Sequence, residues 1–233
     1  RLVSDWSSDV CSSDLTTVVA VHHETTTGRL NDVAALADLA HAHGARILID
    51  AMSSFGADAV PMASLDAVCA SANKNLEGLP GVGFVLVRGD LAEAASSYPR
   101  RTYYLHLPLY RGESPPLTPP VPMLQAMRQA IRETLAETRA GRQARYAGKA
   151  ARIRGSLEAE FPIAVEDGSC TLVMASLPDG WTWDDWFQAN LERGFVLYGC
   201  KGELRERYYQ VSTMGQTTPD EIEAWLTVAR ELA

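Results

Sequence analysis

"TTVVAVHHETTTGRLNDVAALADLAHAHGARILID", residues 16–50, sets out a strand, a helix and a second strand in quick succession. "TTVVAV" (16–21) is an unbroken apolar, β-branched run, the pattern of a strand buried on both faces. In "NDVAALADLAHAHG", Asn31 reads as the N-cap, Val33, Leu36, Ala37 and Ala40 share one face, and Gly44 is the stop. "ARILID" (45–50) is a second buried strand, "DAVCAS" (66–71) a third and "VGFVLVRG" (82–89) a fourth. Strand, helix, strand with short links implies parallel neighbours joined by right-handed crossovers. The fold class is therefore α/β, a mainly parallel sheet flanked by helices, and functional residues should collect where its strands end.

Outward from this segment, the bulk numbers are those of a globular protein. The chain has 233 residues, 46% hydrophobic and 21% charged, enough for one large or two small cores. A net charge of -8 and a pI near 5.1, with no Lys/Arg cluster able to neutralise a run of phosphates, argue against nucleic acid. No apolar run approaches the ~20 residues of a membrane span. Cys11, Cys69, Cys170 and Cys200 lie far apart without a C-x-x-C pair, which suits the reducing cytoplasm better than a disulfide framework.

The leader "RLVSDWSSDVCSSDL" (1–15) has no strand or helix period and no signal-peptide layout. Its "WSSDVCSSDL" resembles the translation of a short-read sequencing adapter, so residues 1–15 are expected to be non-native and the protein proper to lack its front. Residues 16–137 form the first unit. "PLYRGESPPLTPPVP" (108–122) carries six prolines and hands over to a helix near Met123. Residues 138–233 read as a small α+β domain: a long helix over 139–160, strand 171–177, helix 183–194, strands 195–199 and 207–212, and a closing helix. That last helix has Thr218 as N-cap, Pro219 at N1 and Glu221 completing a capping box. Arg139, Arg142, Arg145, Lys149, Arg152 and Arg154 recur at helical spacing, as on a solvated face.

Two charges stand at strand ends. Asp50 closes "ARILID", and Lys74 follows "DAVCASAN". Alone, Asp50 reads equally well as a cap for "AMSSFG", and a lone lysine after a strand reads as surface. Together, at the same end of neighbouring strands, they match what pyridoxal phosphate requires: an amine to bind it covalently and an acid to keep its ring nitrogen protonated. His22 and His23 have no companion ligands in the sequence, so a metal is not expected. Gly78, Pro80 and Gly81 shape the turn after the lysine.

The blocks "HHETTTGRLND", "LIDAMSSFG" and "SANKNLEGLPGVGFVLVR" resemble the class V, fold-type I aminotransferases, and within them the 2-aminoethylphosphonate–pyruvate branch, strongly over 17–100 and weakly over 120–230. The resemblance implies a homodimeric, pyridoxal-phosphate-dependent enzyme that acts on a small-molecule amine and a 2-oxo acid. It implies that Lys74 binds the cofactor and then serves as general base, and that Asp50 pairs with the ring nitrogen. Asn73 would reach the phosphate region, Met52 the ring face and Thr25 the ring's phenolic oxygen, although Thr25 also reads as an ordinary turn threonine. Thr118 would complete a dimer neighbour's site. The family's phosphate cradle and ring-stacking aromatic belong to sequence upstream of this chain. Where many members carry an arginine for the substrate carboxylate, "YYQVSTMG" has Gln210. Arg205 and Arg207 lie an odd number of residues away, which on a strand is the opposite face. Substrate choice therefore stays open between the phosphonate amine and another class V transamination or lyase reaction. A non-catalytic fragment is a third reading.

Overall fold

In the computed structural model, which describes residues 15–157 and 168–233, the first sheet has four strands: β1 (Thr17–Val21), β4 (Arg46–Asp50), β5 (Ala67–Ser71) and β6 (Gly83–Val87), side by side in that order. A short hairpin, β2 (His23–Glu24) and β3 (Arg29–Leu30), leads from β1 into α1 (Val33–Ala42). β1, β4 and β5 run parallel in register, Val21 opposite Asp50 and Asp50 opposite Cys69. β6 pairs antiparallel to β5, because residues 72–82 are too short for the roughly dozen residues a parallel crossover needs. The expected leader lies, apart from Leu15, outside the described residues, as do residues 158–160 of the long helix.

Val33, Ala37 and Ala40 of α1 pack with Ile47, Ile49 and Val68 into the core beneath this sheet. Two readings are corrected. Among the described residues β1 is an edge strand rather than one buried on both faces, and Val19 is 73% exposed. The N-cap of α1 is Asp32, whose Oδ1 accepts from the Ala35 amide at 3.0 Å, while Asn31 donates its side-chain amide to the Val21 carbonyl at 2.8 Å. Gly44 (φ +70°) ends the helix in the left-handed region that favours glycine.

After β6 come α2 (Gly89–Ala94), the proline-rich stretch, α3 (Val121–Glu137) and α4 (Arg139–Leu157), the last two separated by Thr138 at φ +68°. β7 (Leu172–Ser176), α5 (Trp183–Glu192), β8 (Tyr198–Gly199), β9 (Tyr208–Ser212) and α6 (Pro219–Leu232) follow, with β9 central in an antiparallel sheet. Trp186, Tyr209, Leu157 and Leu226 form the second core. Ladder pairing shortens the five-residue strand read at 195–199 to Tyr198 and Gly199.

The capping box of α6 is present as read: Thr218 Oγ1 accepts from the Glu221 amide, and Glu221 Oε2 accepts from the Thr218 amide at 2.7 Å. Thr218→Ala is expected to cost about 1 kcal/mol in urea unfolding. Thr218→Asn should restore most of it.

The basic stripe of α4 is the larger correction. Arg142 and Lys149 are buried rather than solvated, and Arg145 is half-buried. Their partners are Glu137, close by at the end of α3, and, from far away in the chain, Glu77 and the Asn75 and Gly215 carbonyls.

Candidate active site

The carboxyl ends of β1, β4 and β5 form one edge of the sheet, and the chain turns sharply as it leaves each strand. The ladder reaches its limit with His22 N donating to Asp50 O at 2.8 Å and Ala51 N to Cys69 O at 2.9 Å. Asp50 is exposed at that edge, and its Oδ1 accepts from the Met52 amide at 2.8 Å. This contact closes a turn over residues 52–57, so Met52 arrives by a turn and not by strand alternation. The capping and edge readings of Asp50 both hold, since a carboxylate that spends one oxygen on a turn keeps the other.

β5 stops at Ser71, three residues before Lys74, which is half-buried on the turn that follows. Glu77 N donates to Lys74 O at 2.9 Å, and Gly78 N to Ala72 O at 2.8 Å. Asn73 is exposed on the same turn. Sequence reading passed over its neighbour Asn75, which is fully buried and donates Nδ2 to the Ser53 carbonyl at 2.9 Å. His23 shares that carbonyl. Its Nδ1 stands 3.2 Å from Ser53 O, an atom that can only accept, so Nδ1 carries the proton. The other ring nitrogen, Nε2, is buried without a hydrogen-bond partner among the described residues. Burial lowers the pKa of His23, and Lys74 lowers it further by charge. His22 is lowered by burial as well, and its Nδ1 lies 2.9 Å from Ser54 Oγ.

Thr25 and Gln210, separated by most of the chain, are in contact. The Gln210 Nε2 donates to the Thr25 carbonyl and, at 3.3 Å, to that of Thr26. Gln210 lies at the centre of β9, opposite Met174 on one side and Tyr198 on the other. This links the C-terminal sheet to the hairpin turn that follows His23. Lys201, which sequence reading overlooked, brings positive charge to the same end. The Glu24 carboxyl is held below its usual range chiefly by the Thr26 amide, with Lys201 adding to the effect. Arg205 is spent on Asp184 at 2.5 Å, and the Arg207 guanidinium lies over Tyr208. Thr118 is exposed in the proline-rich stretch, apart from this cluster in the sequence.

Cavities of about 600 and 560 Å³ lie elsewhere, one between β8, β9 and α6, the other apolar and bounded by Phe84, Ile131 and Phe55. Among the described residues no group of three or more His, Cys, Asp and Glu is placed to hold a metal, and no helix is long and apolar enough to cross a membrane.

Residues 5–113 match the family model for aminotransferase class V. The 2-aminoethylphosphonate–pyruvate transaminase of Pseudomonas fluorescens is 29% identical over 94% of this chain and 63% of its own length. That of Vibrio cholerae is 46% identical over 36% of this chain and 24% of its own. The chain thus spans less than two thirds of the relatives it matches. Among solved structures, pyridoxamine–pyruvate aminotransferase from Mesorhizobium loti superposes with a TM-score of 0.83 at 27% identity, over 93% of this chain and 60% of that one. Alanine–glyoxylate aminotransferase from Nostoc sp. superposes at 0.85 with 20% identity, over 93% and 61%, and shows the fold alone. The fold is that of the fold-type I aminotransferases on which the chain superposes, and over residues 5–113 the chain is similar to the class V aminotransferases.

Proposed function

We propose that the whole protein transfers the amino group of 2-aminoethylphosphonate to pyruvate, giving phosphonoacetaldehyde and alanine, with pyridoxal phosphate as cofactor. The observation that carries the cofactor is the donor set at one sheet edge. A carboxylate with an oxygen to spare closes β4, and an amine stands on the turn beyond β5. These groups fit the cofactor. Lys74 would hold it covalently, Asp50 would accept its ring N–H, and Asn73, Met52 and Thr25 would hold its remaining edges. When bound, the cofactor supplies the electron sink that lets an amino group leave one carbon skeleton and join another.

The chain's own residues supply the rest. The Lys74 amine is the proton carrier, on a turn pinned at both ends by backbone hydrogen bonds. The Asp50 carboxylate stabilises positive charge at the edge. The free thiols of Cys69, Cys170 and Cys200 suit the cytoplasm, and the enzyme is read as a homodimer whose Thr118 serves the partner's site.

The names of its relatives favour the phosphonate amine. The test is a donor panel on the whole protein: alanine formation from pyruvate should be fastest with 2-aminoethylphosphonate. Faster turnover of alanine or serine with glyoxylate would replace this reading by another class V transamination.

Gln210 bears on the second substrate. Its amide nitrogen is engaged by two carbonyls, so it offers a carboxylate little more than its position. A guanidinium can keep those carbonyls and still present further N–H groups, and a charge-assisted pair is worth roughly 1.5–3 kcal/mol. Gln210→Arg is therefore expected to lower the Michaelis constant for pyruvate several-fold and to change that for the phosphonate amine less. Unchanged constants for both would make Gln210 a strut between the hairpin and β9 only.

A further inference from the structure

The turn that carries Lys74 is held by more than its own backbone hydrogen bonds. Glu77, three residues on, sits at φ +59°, in the left-handed region where a glycine or asparagine would be less strained. Its side chain is 13% exposed and its carboxylate is filled from outside the turn. Arg145 Nη2 donates to Oε1 at 2.9 Å, the Tyr146 hydroxyl donates to the same oxygen, and Gln216 Nε2 donates to Oε2 at 2.6 Å. Arg142 Nη1 donates to the Asn75 carbonyl at 2.6 Å. Lys74 thus lies just before two residues gripped by α4.

The same helix face holds a second segment. Arg145 Nη1 and Lys149 Nζ both donate to the Gly215 carbonyl at 2.7 Å, and the Gly215 amide donates to the Tyr146 hydroxyl at 3.2 Å. Residues 142, 145, 146 and 149 form one stripe of the helix, as their spacing dictates. Gly215 and Gln216 follow β9, which carries Gln210. Arg142 and Arg145 are paired with Glu77 and Glu137, and the Lys149 ammonium is held by the Thr213 and Gly215 carbonyls.

We infer that Glu77 is a positioning residue: its carboxylate, seated between Arg145, Tyr146 and Gln216, fixes where the Lys74 amine stands relative to the β9 end of the site. The inference rests on the reading of Lys74 as the cofactor lysine. A strained backbone kept at a glutamate makes sense if the side chain is what the position needs, and a displacement of about 1 Å at a reacting group can cost on the order of 100-fold in rate.

The test compares the whole protein with Glu77→Gln, which keeps the side chain's shape and removes its charge. Without cofactor, hydrogen exchange over residues 72–80 should quicken at least ~10-fold while β4 and α6 keep their protection, a local loosening and not a general loss of stability. With pyridoxal phosphate bound, the pH midpoint of its visible absorbance should move, and kcat should fall about 10- to 100-fold with the Michaelis constants within about two-fold. Faster exchange with an unmoved midpoint and unmoved kcat would make Glu77 purely structural and overturn the inference, as would no change in any readout. A wild-type protein that acquires no such absorbance would instead sink the reading of Lys74, and the inference with it. Should Glu77→Gln not fold, Gln216→Ala removes one exposed partner of the same carboxylate: the midpoint and kcat should then move in the same direction by a few-fold, and constancy of both would overturn the inference.

Discussion

Lys74→Ala in the whole protein is expected to reduce transamination at least ~1,000-fold, and borohydride reduction of the wild type should leave the cofactor on Lys74. Besides Lys74 this chain has two other lysines, and peptide mapping tells them apart. Lys149 is buried with its ammonium on the Thr213 and Gly215 carbonyls, and Lys201 lies at the Glu24 end of the site. Lys74 alone follows a strand of the parallel sheet at the edge where Asp50 stands. Positioned proton transfer by a side chain typically contributes 10²–10⁴-fold, and losing the covalent attachment adds to that. Lys74→Arg should be nearly as inactive, because a guanidinium stays protonated and cannot take up a proton at working pH. Cofactor trapped on Lys149 or Lys201, or activity of Lys74→Ala within ten-fold of wild type, would defeat the assignment.

What the sequence reveals here is what depends on near neighbours. The capping box at Thr218 and the stop at Gly44 need only residues a turn apart, and both are present as read. The strands β4 and β5 declare themselves as apolar runs, which is why Asp50 and Lys74 can be placed at one edge before any coordinates. The cap of α1 slips by one residue because Asn31 and Asp32 are both good caps, and the choice falls to the Val21 carbonyl that captures the Asn31 amide. The basic face of α4 is misread for a different reason. Arg142, Arg145 and Lys149 recur as a solvated stripe would, and nothing local reveals that Glu77 and Gly215 will meet them. The contact of Gln210 with Thr25 is equally invisible, since it joins opposite ends of the chain across two sheets. The position of Met52 is not legible from strand periodicity either, because the Asp50 side chain bends the chain just past the strand's last residue.

The double duty of Asp50 separates its electrostatic role from its structural one. Its Oδ1 holds the turn to Met52 through the 2.8 Å hydrogen bond, an acceptor role that an asparagine oxygen fills equally well. Asn cannot, however, supply the negative charge that keeps a bound ring nitrogen protonated. An opposite charge at contact is worth about 1–3 pKa units, or roughly 1.4–4 kcal/mol. Asp50→Asn is therefore expected to lower kcat between about 10- and 1,000-fold while the thermal midpoint stays within a degree or two of wild type. Asp50→Ala removes the turn contact as well, costing about 0.5–1.5 kcal/mol of stability on top of a similar loss of rate. Rate assays beside thermal melts of the two variants check this. If Asp50→Asn keeps full activity, the carboxylate is only a cap for residues 51–57. If it melts as low as Asp50→Ala, the negative charge itself stabilises the fold, and the rate loss can no longer be assigned to the site.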